Sequence, residues 1–345
     1  MEKIIDLSMK RFSILLVLCI VVLGCNSKKK TTNYKIDREV LESLGTKPKQ
    51  DFLKGVEINE YLIAEDSTNV NAYVGLAEAQ IMVFAFGLDS RENTIPIAEE
   101  AFIAANVLDS TKSNVLGLSA KLHFINRNWR AAEVDFKKAI TANPNNFDTR
   151  HWYALLLMAT KRADKAFVQS DIIMASDISE HFLVARASLY YFEHRFDEMK
   201  PLMHRAIEND AITGWAYDWL GMAHNGLSEH EKSIEAYLKA FELADGTVEV
   251  GGGLGHALGD AGEIELAKEM TNYYDKVSKT KYLPPEQRAF IHISIKEYDK
   301  AITLLEEAYT NKSWFINFMQ IEHWYDPIKN DQRFIDIMNK MNFPK

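Results

Sequence analysis

Residues 128–144 read NWRAAEVDFKKAITANP, and this stretch decides the fold. Ala132, Phe136 and Ala139 are spaced four and three residues apart, so they lie on one face of an α-helix. Pro144 then ends the helix, because proline lacks an N–H group and restricts the residue before it. Small residues on the apolar face indicate close packing against a neighbouring helix.

This face recurs along the chain with a period of 34 residues. The repeating units start near Val70, Ser113, Phe147, Glu180, Gly214, Val248 and Tyr282. The step from Val70 to Ser113 is 43 residues, which places an insertion of nine around 83–91. Position 8 is Ala or Gly in all seven units, and position 20 is Ala in five of the seven. Two columns of small residues at a fixed period indicate stacked helix pairs.

The unit resembles the tetratricopeptide repeat (TPR), whose pattern is W-x₂-L-G-x₂-Y, then A-x₃-F, then Pro. Tyr217, Leu220 and Gly221 match its first helix, and residues 128–144 match its second helix. The resemblance implies an all-α fold over residues 51–345. We expect a right-handed superhelical solenoid of about seven helix pairs with a C-terminal capping helix. A further, degenerate unit is predicted from Ile36, with Gly55 at its position 20.

Residues 331–341 are predicted to form the capping helix. Asp331 is a good N-cap residue, and an apolar stripe at i, i+3, i+4 and i+7 follows it. The stripe consists of Phe334, Ile337, Met338 and Met341. Three aromatic residues before this helix are expected to cover the exposed end of the last pair. They are Trp314, Phe315 and Phe318.

A second resemblance extends over roughly residues 52–345. Residues 73–79, 84–88 and 151–154, and the ending around 313–334, resemble the TPR regions attached to bacterial winged-helix regulators, adenylate cyclases and serine/threonine kinases. In those relatives the array is the sensory or interaction half. The resemblance therefore implies a binding role.

The first 24 residues are predicted to be a lipoprotein signal peptide. Thirteen apolar or small residues, 12–24, follow two basic residues and are too few for a membrane-spanning helix, which needs about 20. The sequence VLGC at 22–25 resembles a lipobox, which implies that Cys25 is lipidated and begins the mature protein. An ordinary signal peptide or a short anchor is the alternative.

Residues 25–50 are predicted to be the lipidated cysteine and a flexible tether, because 26–33 are polar and basic without an apolar pattern. We expect the protein to be anchored by lipid to a bacterial membrane, at the outer membrane facing the periplasm. Met9 is an alternative start residue.

Composition argues against several classes of site. The net charge is −9, so no nucleic-acid partner is expected. The two cysteines, Cys19 and Cys25, lie near the N-terminus, which excludes a cysteine-based zinc site or nucleophile in the array. The glycines of residues 250–259 have the wrong spacing for a dinucleotide fingerprint, so no nucleotide is expected. The histidines form no dense metal-binding pattern, and neither a metal nor a cofactor is predicted.

The concave side is the predicted binding surface. In TPR arrays, positions 2, 5, 9 and 12 of each first helix face it. The candidate groove residues are Asp148, His151, His181, Tyr191, Trp215, Asp218, Met222, Asn225 and His256. Lys121 is the one basic residue in these columns. Aromatic, Met, His and acidic side chains suit contacts to a peptide, although several of them could instead pack between helices.

Two function hypotheses follow. The first is a membrane-anchored scaffold that binds a protein or peptide partner in the cell envelope through the groove. It depends on the complete repeat register and the lack of a catalytic motif. The alternative is an envelope enzyme, a hydrolase with its site in the groove, supported by the His and acidic residues there.

Overall fold

The computed structural model describes residues 50–344 except 177–179, 209–212 and 244–247. All of these belong to one compact unit, Glu42–Lys345. This part of the chain is helical and contains no strand. The predicted signal peptide (1–24) and the tether up to residue 49 lie outside the described residues. Cys25 and the domain boundaries therefore stay predictions.

One helix precedes seven helix pairs, and one helix follows them. The helices are α1 (Gln50–Glu65), α2 (Val70–Ala85), α3 (Arg91–Asp109), α4 (Ser113–Ile125), α5 (Trp129–Ala142), α6 (Phe147–Ala159), α7 (Ala163–Ser176), α8 (Glu180–Phe192), α9 (Phe196–Glu208), α10 (Thr213–Gly226), α11 (His230–Leu243), α12 (Val248–Asp260), α13 (Ile264–Val277), α14 (Pro285–Ser294), α15 (Tyr298–Thr310) and α16 (Gln332–Met341). Two short 3-10 helices, Phe315–Phe318 and His323–Ile328, lie between α15 and α16.

The structure has the repeat register that the sequence predicts. Five of the seven first helices begin at the predicted residue, α10 begins one residue earlier and α14 begins three later. The seven residues at position 20 are all fully buried: Ala98, Ala132, Ala166, Met199, Ser233, Ala267 and Ala301. The small side chains let the helices of each pair approach closely, so the core runs along the array. The predicted all-α solenoid of seven helix pairs is confirmed.

Residues at the helix ends determine where the helices begin and where the chain turns. The side chains of Asn69 and Asn146 accept hydrogen bonds from the backbone N–H groups of Ala72 and Thr149, which caps α2 and α6. The turn inside most pairs contains one residue with positive φ. These residues are Arg127, Lys161, His194, Ser228, Gly262 and Lys296, all at position 15 of their units. This left-handed residue reverses the chain between the two helices.

The insertion after α2 connects distant parts of the array. The ring of Phe86 stacks on Trp215 of α10, with ring centroids 4.4 Å apart. Gly87 has φ +61° and lies against Pro284, immediately before α14. The first pair therefore contacts the fifth and the seventh pairs directly and partly encloses the concave side.

The C-terminal segment, residues 313–343, differs from expectation. Trp314 and Phe318 do not merely cover the end of the last pair, because they pack among the second to fourth pairs. Trp314 lies 5.4 Å from Phe124 and 5.3 Å from Trp152, measured between ring centroids. Phe318 stacks on Phe192 of α8 at 5.1 Å. The segment thus occupies the concave side instead of leaving an open groove.

Hydrogen bonds hold this segment in place. The side-chain amide of Gln320 donates to the carbonyl of Ala159 at 2.5 Å. The indole of Trp129 donates to the carbonyl of Met341 at 3.2 Å. The capping helix α16 is confirmed, because Asp331 caps it and the predicted stripe packs inward, with three of its four side chains buried.

Candidate functional site: an aromatic cavity on the concave side

A cavity of about 230 Å³ lies between the first helices of the pairs and the C-terminal segment. Its walls come from α2, α6, α8, α10, α11, α12 and α14, together with residues 314–324. Most of the lining is aromatic or aliphatic. The chain has six tryptophans, and five of them line this cavity: Trp152, Trp215, Trp219, Trp314 and Trp324.

The structure brings seven of the nine predicted groove residues together at this cavity. They are Asp148, His151, His181, Tyr191, Trp215, Asp218 and Met222. They come from three consecutive first helices, α6, α8 and α10, whose equivalent positions face one side. His181 is exposed, so solvent reaches the cavity at this edge. A partner-binding role for these residues stays a prediction.

Asn225 and His256 lie elsewhere. Both are buried, with 7% and 4% of their surface exposed. The Asn225 amide donates to the Asp260 carboxylate at 3.1 Å, and the His256 ring stacks on Trp324 at 4.1 Å. The expectation that these two residues face an open groove is wrong, because both are buried among the helices. Trp324 of the C-terminal segment covers the His256 ring, and Asn225 lies against His256 and Asp260.

The one basic residue of the groove columns is neutralised. The ammonium of Lys121 contacts Glu78 at 2.7 Å and Asp148 at 2.5 Å, and lies 5.3 Å from the centroid of the Trp152 ring. Burial alone would lower the pKa of Lys121, but the two carboxylates outweigh it and raise that pKa above its ordinary value. Lys121 therefore stays charged and contributes no unbalanced positive charge beside the cavity.

The two histidines of the lining lie next to each other, with ring centroids 6.0 Å apart. Burial, the neighbouring His181 and the Lys121 charge lower the pKa of His151 to about 4, against the pull of Asp148. His151 is therefore neutral at pH 7 and adds no positive charge to the site.

Glu322 is a site residue that the sequence pattern did not indicate. Its carboxylate accepts hydrogen bonds from the Tyr191 hydroxyl at 2.8 Å and the Trp324 backbone N–H at 3.1 Å. Burial raises the pKa of Glu322 to about 7, although these two hydrogen bonds act in the opposite direction. A signal was present in the sequence, because residues 313–325 break the 34-residue period and contain five Trp, Phe and Tyr residues that need a surface to bury them.

Tyr237 reaches the cavity between two glycines. A Cβ atom at Gly221 would lie 2.9 Å from its ring, and one at Gly253 would lie 2.6 Å from it. The glycines thus let α10 and α12 close on the ring from both sides. The Tyr237 hydroxyl is buried and has no hydrogen-bond partner among the described residues. Gly253, one of the glycines of residues 250–259 whose spacing does not fit a dinucleotide fingerprint, thus acts as a packing residue.

No three His, Cys, Asp or Glu side chains within the described ranges come together in a way that could hold a metal ion. None of the described helices is both long and apolar enough to cross a membrane.

Comparison with known proteins supports the fold. Residues 216–246 match the family model of the tetratricopeptide repeat. No curated protein matches the chain in sequence. A tetratricopeptide repeat protein from Parabacteroides merdae is similar in structure, with a TM-score of 0.51 and 15% identity over 74% of this chain and 98% of that one. Yeast Tom70 gives a TM-score of 0.48 and 18% identity over 92% of this chain and 70% of its own. The described part of the chain is thus an all-α tetratricopeptide-repeat superhelix.

Proposed function

We propose that this chain is a lipid-anchored scaffold of the bacterial cell envelope, located at the outer membrane and facing the periplasm. Its TPR array binds a protein or peptide partner at the mouth of the concave cavity. The observation that carries the proposal is the convergence of seven predicted groove residues on one partly open, aromatic cavity. Aromatic and Met side chains are typical of interface centres.

The anchor has its own test. We expect Cys25→Ser to abolish incorporation of a labelled fatty acid and to release the protein from the membrane. Cys19→Ser is the matched control, because Cys19 lies inside the apolar run, and its label should be unchanged. Persistent labelling of the Cys25→Ser protein would show that the lipobox interpretation is wrong.

Partner binding is tested by crosslinking the native lipoprotein in cells and identifying the captured protein. His181→Ala and Asp218→Asn change the cavity edge, and we expect both to reduce capture of the same partner. His204→Ala is the control, since His204 is exposed on α9 and does not line the cavity. Equal capture by all three variants would place the partner surface elsewhere.

Glu322 provides the observation that favours the alternative function, an envelope hydrolase. A carboxyl group with a pKa of about 7 in a mostly apolar cavity has the property expected of a general acid or base. The purified protein would be tested against a panel of envelope substrates. Turnover that Glu322→Gln abolishes would support the enzyme, and absence of turnover leaves the scaffold as the function.

A further inference from the structure

Each acidic group of the cavity lining already has a partner. The Asp148 carboxylate is paired with Lys121, and Glu322 accepts two hydrogen bonds. Burial raises the pKa of Glu322 to about 7, so much of it is protonated at neutral pH. Asp218 is not without a partner either. A ligand cation therefore meets no free negative charge. A ligand anion meets no positive one, because no Lys or Arg of the described residues lines the cavity.

The two histidines of the lining add no charge to its interior. His151 is neutral at pH 7, because its pKa is lowered to about 4. His181 is exposed at the edge, where water and salt screen a charge. A charged ligand would leave its hydration shell without gaining an opposite charge, which costs free energy. The lining therefore favours a neutral ligand.

The walls offer a large apolar surface to such a ligand. Five tryptophans line the cavity together with several Phe and Tyr rings. Flat rings pack on one another in offset-stacked or edge-to-face arrangements. Two methionine side chains, Met82 and Met222, complete the lining and can adjust to the outline of a ligand. These walls suit a ligand that contains an aromatic ring.

Two polar atoms of the walls have no partner. The Tyr237 hydroxyl and the Trp324 indole N–H are buried, and neither makes a hydrogen bond to any described residue. Both residues line the cavity, with 0% and 6% of their surface exposed. An indole N–H only donates, whereas a hydroxyl donates or accepts. An unsatisfied buried group costs free energy, so a ligand oxygen that bonds to either atom would stabilise the complex.

The size of the cavity limits the ligand. Its volume is about 230 Å³. A protein cavity of about 150 Å³ holds a benzene molecule. There is therefore room for one ring with a short substituent, and not for a length of folded peptide.

We propose that this cavity binds a small, neutral molecule that consists of one aromatic ring with a short oxygen-bearing substituent. The tryptophan rings hold the ligand ring, and its oxygen hydrogen-bonds to the Tyr237 hydroxyl or to the Trp324 indole. The ligand enters at the edge that His181 exposes to solvent. This inference goes beyond the proposed scaffold function and does not depend on it. If partner capture succeeds while no neutral ring binds, this inference alone is wrong.

The test compares probes of nearly the same shape and different charge. Benzyl alcohol is neutral, benzylammonium is a cation and benzoate is an anion. Binding to the purified full-length chain is measured by tryptophan fluorescence, which reports on the cavity because five of the six tryptophans line it. We expect benzyl alcohol to bind about tenfold more tightly than either ion.

A variant that fills the cavity locates the bound probe. Leu155 lines the cavity and is half-buried, so Leu155→Trp should weaken benzyl alcohol at least several-fold. Val134→Trp is the matched control, because Val134 is exposed on α5 and does not line the cavity. Thermal melting checks that each variant is folded.

Toluene, which lacks the oxygen, assigns the hydrogen bond. Tyr237→Phe removes only the unpartnered hydroxyl, and Trp324→Phe removes the indole N–H together with some wall area. At the position that bonds to the ligand oxygen, the variant should weaken benzyl alcohol several-fold more than toluene. The comparison with toluene separates the loss of the bond from the loss of wall area. Equal effects on the two probes in both variants would show that the oxygen makes neither bond.

Three further results would overturn the proposal. Either ion could bind as tightly as benzyl alcohol, neither neutral probe could bind at millimolar concentration, or Val134→Trp could weaken binding as much as Leu155→Trp. The first result would show that the cavity selects a charged ligand. The second would show that it takes no ring, and the third would place the bound ring outside the cavity.

Discussion

The hydroxyl of Tyr191 donates a hydrogen bond of 2.8 Å to the carboxylate of Glu322, which lies 131 residues further along the chain. Tyr191 is fully buried on α8, and the Glu322 side chain is 9% exposed. The bond connects the C-terminal segment to the concave face of the fourth pair. It also places an ionisable group where water cannot easily stabilise its charge.

Replacing Glu322 should therefore make stability depend differently on pH. The folded-state pKa of Glu322 is raised from 4.5 to about 7, so the folded protein holds a proton that the unfolded chain releases. Its contribution to stability is fully present below pH 4.5 and is lost as the pH rises to about 7. Glu322→Gln stays neutral throughout. Relative to wild type, it should gain up to roughly 3 kcal/mol between these pH values.

The measurement is the difference in free energy of unfolding between the Glu322→Gln variant and wild type at pH 5 and pH 8. His323, Asp326 and Tyr191 also face Glu322 but are common to both proteins. Glu100→Gln, which removes an exposed carboxyl group on α3, is the matched control for the loss of a charge. A constant difference for Glu322→Gln would mean that the Glu322 carboxyl keeps an ordinary pKa.

The repeat register could be predicted because its causes are local. Ala132 and Ala301 are separated by many repeats, yet each is fully buried at position 20, because the same short spacing rule places it against the partner helix. The inward direction of Trp215, Asp218 and Met222 follows from the same helical periodicity. These parts of the candidate site were accessible from the sequence for that reason.

The closure of the cavity could not be predicted in this way. The contact between Phe86 and Trp215, and those of Trp314 with Phe124 and Trp152, depend on the accumulated curvature of several repeats. A period of 34 residues does not determine that curvature. For the same reason the sequence pattern led to the prediction that Trp314 covers the end of the array, and it gave no indication of Glu322.

Substitution by alanine should change the stability of the protein in opposite directions at two glycines, Gly253 and Gly55. A Cβ atom at Gly253 would lie 2.6 Å from the Tyr237 ring, which is fully buried and cannot move away freely. Gly253→Ala should therefore cost about 1–3 kcal/mol of stability. A Cβ atom at Gly55, in α1, would lie 3.6 Å from Ala79, an ordinary contact. Gly55→Ala should gain up to about 1 kcal/mol from helix propensity. Chemical denaturation would measure both, and stabilisation by Gly253→Ala would contradict the close packing around Tyr237.

Replacing the turn residue Lys161 with glycine should raise the stability of the protein. Its φ is +57°, which is unfavourable for a residue with a Cβ atom by about 1 kcal/mol. Lys161→Gly relieves this and should raise stability by a similar amount, less the added entropy of the unfolded chain. Lys165 is the matched control, because it is exposed within α7, where glycine costs about 1 kcal/mol. Thermal melts of the two variants should shift in opposite directions, and equal losses would contradict the left-handed turn.

Trp215 should contribute more to partner binding than to stability. It is half-buried, lines the cavity and stacks on Phe86 at 4.4 Å. A fully buried tryptophan would cost about 3–5 kcal/mol when changed to alanine. The half-buried Trp215 should cost about 1–2 kcal/mol, chiefly through the lost stacking.

Phe52→Ala provides the control. Phe52 also stacks on Phe86, with ring centroids 5.0 Å apart, but it does not line the cavity. Both variants should lower the melting temperature by similar amounts. Only Trp215→Ala should reduce partner capture, by about 2 kcal/mol or more in binding free energy. If Trp215→Ala unfolds the array, Trp215 is a core residue. If both variants capture the partner equally, the partner does not contact this face of the cavity.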